Sequence, residues 1–239
     1  MNIKRVFKTN RRVRITDCDS KGKLRIDSIA RYLQDIGFDD TNDLGLGDGG
    51  IWVARSIEIL NRTINQKQWP MRNDIVELET HCGGLGKVSA QRDVNIFKDN
   101  DNCISAKTIW VSLDENYKPK EIPDWLEKTY PEAINISTKR VLPLVPKTEL
   151  LDSIKSFEFK IRQCDIDIND HANNSFAFIV LYEASIIYKF KDFTKIYIEY
   201  HRPIDVDQEL TVLISSIENG YNAWLKASNV IVCSMQWCL

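Results

Sequence analysis

The chain has no apolar run approaching the roughly 20 residues that a membrane-spanning helix requires, so membrane insertion is not expected. Its opening stretch, MNIKRVFKTNRRVRI, is basic but has no apolar segment of the signal-peptide kind, which points to a cytoplasmic protein. There is no CxxC pair and no Cys/His cluster: Cys18, Cys82, Cys103, Cys164, Cys233 and Cys238 are scattered, so no metal site is expected and buried, reduced thiols are. No glycine-rich phosphate loop occurs, which removes the case for a nucleotide, and no cofactor is expected. Positive charge is not in excess, with 32 Lys and Arg against 34 Asp and Glu, so the global field that attracts nucleic acid is missing.

What is present is a repeat. Arg14-Ile15-Thr16-Asp17-Cys18-Asp19 returns as Arg162-Gln163-Cys164-Asp165-Ile166-Asp167 with the same R-x-x-D-x-D spacing, and each copy runs into a helical pattern. In the first, Ile26, Ile29, Ala30, Leu33 and Ile36 form one apolar stripe, with Gly37 as its expected stop. In the second, Phe176, Ile179, Val180, Glu183, Ile186 and Ile187 share the expected buried face. Strand-like runs follow at 51–60, 75–80, 88–97 and 104–113, then at 195–200, 210–217, 221–227 and 230–237, separated by turn residues. Each half therefore reads as a long helix followed by an antiparallel meander, an α+β arrangement. Five of the seven prolines lie between Pro119 and Pro146, the expected connection, with a turn of helix around Trp125 to Lys128.

Only the second copy adds an imidazole and amides, in Asp165-Ile166-Asp167-Ile168-Asn169-Asp170-His171-Ala172-Asn173-Asn174; the first has Asp17-Cys18-Asp19-Ser20-Lys21-Gly22-Lys23 at the same offset. A carboxylate, amides and a histidine at a helix entrance are costly to bury unless they bond one another, and free helix N–H donors there suit a developing oxyanion. Asp165 is expected to be structural, because its counterpart Asp17 persists in a half without the histidine. His81 and His201 are expected to be packing or surface residues.

The D-x-D-x-N-x-H-x-N-N segment followed by a helix resembles the C-terminal active-site segment of the acyl-ACP thioesterase family. The resemblance covers nearly the whole chain: Ile51-Trp52-Val53-Ala54-Arg55 through Glu58, Trp69-Pro70 with Asp74-Ile75-Val76, Glu79-Thr80, Gly86-Lys87 with Arg92-Asp93, and Trp110-Val111 are similar to the N-terminal signatures. It implies a tandem (double) hotdog with an N-terminal domain at 1–130, a linker at 131–151 and a C-terminal domain at 152–239. It implies hydrolysis of acyl-ACP to free fatty acid, with Asp167, Asn169 and His171 catalytic and Asp167 acting as nucleophile or as general base.

Two positions depart from the family pattern. Pro203 stands where an acid is usual and Ala177 where an aromatic is common, so Glu183 is the candidate assisting carboxylate. Trp52 is either sheet core or part of an acyl-binding wall. Arg11, Arg12 and Arg14 with Lys139 and Arg140 are candidates for contact with the acidic carrier protein. An acyl-CoA thioesterase using the same residues, or a non-catalytic acyl-binding hotdog protein, are the alternatives, and either a monomer or a homodimer is consistent with the pattern.

Overall fold

The computed structural model describes residues 5–45, 50–63, 68–134, 136, 138, 155–168, 170–206, 208–228 and 230–239. The chain divides into two compact units, Met1–Arg140 and Val141–Leu239. Of the expected linker, residues 135, 137 and 139–151 lie outside the described residues, Lys139 and Arg140 among them.

The first unit contains β1 (Phe7–Arg12), α1 (Ile26–Asp43), β2 (Ile51–Asn61), β3 (Ile75–Leu85), β4 (Ser89–Lys98), β5 (Asp101–Leu113) and the short α2 (Asp124–Thr129). The second contains β6 (Lys155–Lys160), α3 (Phe176–Ile187), β7 (Lys195–Tyr200), β8 (Glu209–Ile217), β9 (Gly220–Ala227) and β10 (Val230–Cys238). Within the first, the antiparallel strands lie in the order β1-β3-β4-β5-β2; within the second, β6-β8-β9-β10-β7. The two orders are the same permutation, so the sequence repeat is a repeat of topology, and both units are α+β.

The expected strands all form, and the expected meander is corrected in two ways. A further strand precedes the helix in each unit, β1 and β6, pairing with β3 and β8. The strand that follows the helix, β2 or β7, pairs with the last strand of its unit rather than with the next in sequence.

The stripe of α1 is as expected: Ile26, Ile29, Ala30, Leu33 and Ile36 are buried. Gly37 does not end the helix, which continues to Asp43. A methyl group on Gly37 would stand 3.4 Å from Cδ of Arg92, so the glycine leaves room for that side chain to pass along the helix. Arg92 then reaches Asp40, one turn on.

The face of α3 is as expected at Phe176 and Val180, which are buried, and differs elsewhere. Ala177, Phe178, Leu181, Ala184 and Ser185 are buried, whereas Ile186 and Ile187 are 60% and 50% exposed and Glu183 is exposed. The segment FAFIVLYEASII is apolar on nearly every side, so its periodicity contains no polar stripe to mark the outer face.

A charged cluster ties α1 to the sheet and to the segment after α2. The buried Asp40 carboxylate accepts from Arg5 (Nε 3.1 Å, Nη2 2.9 Å), from Arg92 Nη1 at 2.8 Å and from the Tyr130 hydroxyl at 2.8 Å. Arg92 also donates to Thr80 Oγ1 at 3.3 Å. Burying one carboxylate among two guanidinium groups is tolerable only while all partners remain, because removing one partner of a buried ion pair costs about 3–5 kcal/mol. Asp40→Ala is therefore expected to lower unfolding free energy by about 3 kcal/mol, seen as an earlier urea midpoint with little change in slope.

Candidate functional site

In the second unit the chain leaves β6 through a single helical turn, Gln163–Asp165. Asp165 is buried and accepts from the backbone N–H of Arg162 (2.9 Å) and from that arginine's Nε (2.9 Å) and Nη2 (2.7 Å). In the first unit, Asp17 accepts from the N–H of Arg14 at 2.8 Å and from the Tyr32 hydroxyl at 2.7 Å. This carboxylate is a brace in both copies, which explains why the R-x-x-D part of the repeat is shared.

Beyond the brace comes a small hairpin. Asp167 N–H donates to His171 O (2.9 Å), Asp170 N–H to Asp167 O (3.1 Å), and Ile166 bridges Ala172. Asp170 sits at the turn with φ +60°, a conformation that aspartate tolerates better than most side chains. The first unit folds identically: Asp19 N–H donates to Lys23 O (2.9 Å), Gly22 N–H to Asp19 O (3.0 Å), and Gly22 has φ +79°. There the Asp19 carboxylate is held by the N–H groups of Lys21 (2.8 Å) and Lys23 (2.9 Å). Asp167 occupies the matching place and is partly buried, His171 replaces Lys23, and the tip residue Ile168 is 91% exposed. Asn169 lies outside the described residues.

His171 points to a carboxylate that reading the residue order did not identify. Its Nδ1 is 3.2 Å from Oδ1 of Asp205, in the loop between β7 and β8. Ala172 N–H donates to Ile204 O at 2.9 Å and fastens that loop to the hairpin. The signal was Asp205 itself, two positions beyond Pro203.

The start of α3 is less open than expected. Phe176 N–H donates to Asn173 O (2.8 Å) and Phe178 N–H to Ser175 O (3.0 Å), while Asn173 Oδ1 accepts from Ser175 N–H (2.9 Å). These donors serve the helix entrance itself. The Tyr200 hydroxyl from β7 donates to Asn174 O at 2.5 Å and pins the same entrance to the sheet. Where β7 ends, both His201 and Arg202 donate to Val232 O at an irregular step of β10, which turns the chain toward Pro203.

Glu183 is on the exposed side of α3. Trp52 packs in the first unit against the apolar group of Cys82, Leu85, Leu126, Tyr130 and Ala133. His81 lies beside Asp93 (3.5 Å), and His201 bonds Ser234 Oγ (2.7 Å). Of the arginines proposed for a carrier protein, Arg11 is paired with Asp35 and lies over the Tyr32 ring, and Arg12 donates to Asn73 O. All six cysteines are free thiols, and Cys164, expected to be buried, is exposed. Among the described residues no helix is long and apolar enough to cross a membrane, and no cluster of metal-ligating side chains occurs.

Two units of the same fold, one with a carboxylate and histidine hairpin, define a class, and comparison with known families identifies it. A model of the acyl-ACP thioesterase N-terminal domain matches residues 4–130, and one of the acyl-ACP thioesterase C-terminal domain matches 148–235. The chain belongs to the acyl-ACP thioesterase family. Oleoyl-acyl carrier protein thioesterase 1, chloroplastic, of Arabidopsis thaliana is 25% identical over 190 residues, 68% of this chain and 50% of the relative. The chain spans about half the length of the plant relatives it matches. A crystal structure from Lactobacillus plantarum, provisionally assigned as an oleoyl thioesterase, gives a TM-score of 0.85 at 18% identity, covering 99% of this chain and 97% of that one. The 12:0-ACP thioesterase from Umbellularia californica gives 0.78 at 18% identity, covering 97% and 96%. At these identities the structures show a shared fold.

Burial around the hairpin and in the first unit has a consequence at high pH. It raises the Tyr200 hydroxyl well above its ordinary range, and raises Tyr130 to about 12 and the Cys82 thiol to about 11. Unfolded, these groups ionise near 10.0 for tyrosine and 9.0 for cysteine, so their contribution to stability is fully present below pH 9.0. It is lost as pH rises through the folded values. Thermal midpoints are expected to be flat from neutrality to about pH 9 and to fall steeply above it, with Tyr200→Phe flattening part of that fall.

Proposed function

We propose that this chain is a tandem hotdog, with domains at 1–130 and 152–239 joined by 131–151, that hydrolyses fatty acyl thioesters of acyl carrier protein. Asp167, Asn169 and His171 are its catalytic set. The observation that carries the reading is the asymmetry between two hairpins of one backbone design: only the second sets an imidazole against a carboxylate, while the first carries lysines at the matching turn positions. A structural requirement alone would have been met by the same residues twice.

In the proposed reaction an oxygen attacks the thioester carbon, the C–S bond breaks, and the released phosphopantetheine thiolate takes a proton. His171 handles that proton, and Asn169 orients the carbonyl. Asp167 either removes a proton from the attacking water or attacks first and is itself hydrolysed from the acyl-enzyme anhydride. A single turnover in H₂¹⁸O tests the nucleophile route: label in the Asp167 carboxylate requires an anhydride opened by water at the aspartyl carbon, whereas the water route, and an anhydride opened at the acyl carbon, leave label only in the fatty acid.

Asp167→Ala is expected to reduce thiol release from acyl-ACP by about 10³-fold and His171→Ala by about 10²-fold, with both proteins folded. Equal rates on acyl-CoA and acyl-ACP would assign the broader carrier range. Slow turnover that Asp167→Ala leaves unchanged, together with retained acyl binding, would make the chain a binding protein instead.

A further inference from the structure

We infer that Asp205 is a positioning residue for His171, holding the imidazole with Nδ1 protonated so that Nε2 is the nitrogen free to exchange a proton with the substrate. The inference rests on the catalytic reading of Asp167 and His171. A carboxylate can only accept from a ring nitrogen, so an Nδ1···Oδ1 approach of 3.2 Å selects one tautomer.

Asp205 is itself oriented. Its second oxygen accepts from Gln208 Nε2 at 3.1 Å, its backbone N–H donates to Gln208 Oε1 at 3.3 Å, and Gln208 N–H donates to Asp205 O at 3.3 Å. The first unit contains the same turn with other chemistry. There Met71 N–H donates to Asp74 Oδ2 (2.8 Å), Asp74 N–H donates to Met71 O (3.0 Å), and Met71 forms a bridge with Lys23. Lys23 and Met71 stand where His171 and Asp205 stand in the second unit, and Leu24 N–H to Pro70 O matches Ala172 N–H to Ile204 O. The fold therefore brings these two positions together for its own reasons, and only the second unit places an acid and an imidazole on them.

Stability does not account for the pair. Its side chains are 38% and 58% exposed, and an ion pair so open to solvent contributes little to folding. Orientation of the ring is what such a pair can supply.

The test uses the full chain with ¹⁵N-labelled histidine and compares Asp205→Ala, Asp205→Glu and Asp167→Ala. In Asp205→Ala, kcat on acyl-ACP is expected to fall about 10- to 100-fold with KM within about twofold, and the His171 ring ¹⁵N shifts to move toward the mixed tautomers of free histidine. The melting temperature should change by less than about 2 °C, and Asp205→Glu should recover part of kcat and of the tautomer signal. Asp205→Ala turnover within twofold of the parent with unchanged ¹⁵N shifts, while Asp167→Ala is inactive, would overturn the role of Asp205 alone. A loss of kcat that follows a lowered melting temperature and that glutamate does not restore would also overturn it. Full turnover by Asp167→Ala would remove the catalytic reading and this inference with it.

Discussion

The hairpin between the first strand and the helix of each unit is the constraint from which the rest follows. One N–H to O bond closes it, Asp19 to Lys23 or Asp167 to His171, and a second bond returns the chain to the brace, Arg25 to Asp17 O or Asn173 to Asp165 O, both 2.9 Å. These bonds fix where the helix starts and which residues its entrance presents. They are indifferent to most side chains on the hairpin, so one copy can change its residues without changing its shape.

The two copies have used that freedom differently. The first unit puts its charged investment into the fold, in Asp40 with Arg5, Arg92 and Tyr130, and in Asp27 gripped by Arg25 and Arg31. Burial raises the Asp27 carboxyl, but the two guanidinium groups overcome it and hold the acid below its ordinary range. The second unit has no equivalent cluster among its described residues. Its α3 is almost wholly apolar, and one group of polar residues, Asp167, His171, Asn173 and Tyr200, lies around the helix entrance, while others such as Glu199, Asn222 and Ser234 are buried in the strands.

Much of this was legible in the residue order, and the failures have physical causes. β-Branched and aromatic residues with turn residues between them marked the strands from Ile51 to Trp237, both where burial alternates, as in β3, and where neighbouring residues are all buried, as at Ile196 to Glu199 in β7. β1 and β6 were harder to see: FKTNRR and KSFEFK are short, highly charged and pair on one side only, with β3 and β8. Gly37 reads as a stop by composition, yet it is kept inside α1 to let Arg92 pass. The position of Asp167 was legible from the R-x-x-D-x-D repeat, and its expected role from the family resemblance. Asp205 was not, because nothing local to Pro203-Ile204-Asp205 shows that the loop folds back onto Ala172. Glu183 was misplaced together with Ile186 and Ile187 because α3 is an apolar helix whose pattern names no face.

The account turns on the claim that chemistry resides in one hairpin and architecture in both. Single-turnover rates of Asp19→Asn and Asp167→Asn, which keep the shape of each side chain, test it most directly. The account predicts that Asp19→Asn cleaves acyl-ACP at the parent rate once corrected for folded fraction, while Asp167→Asn is slower by about two orders of magnitude or more. Equal losses in both, or none in either, would contradict it.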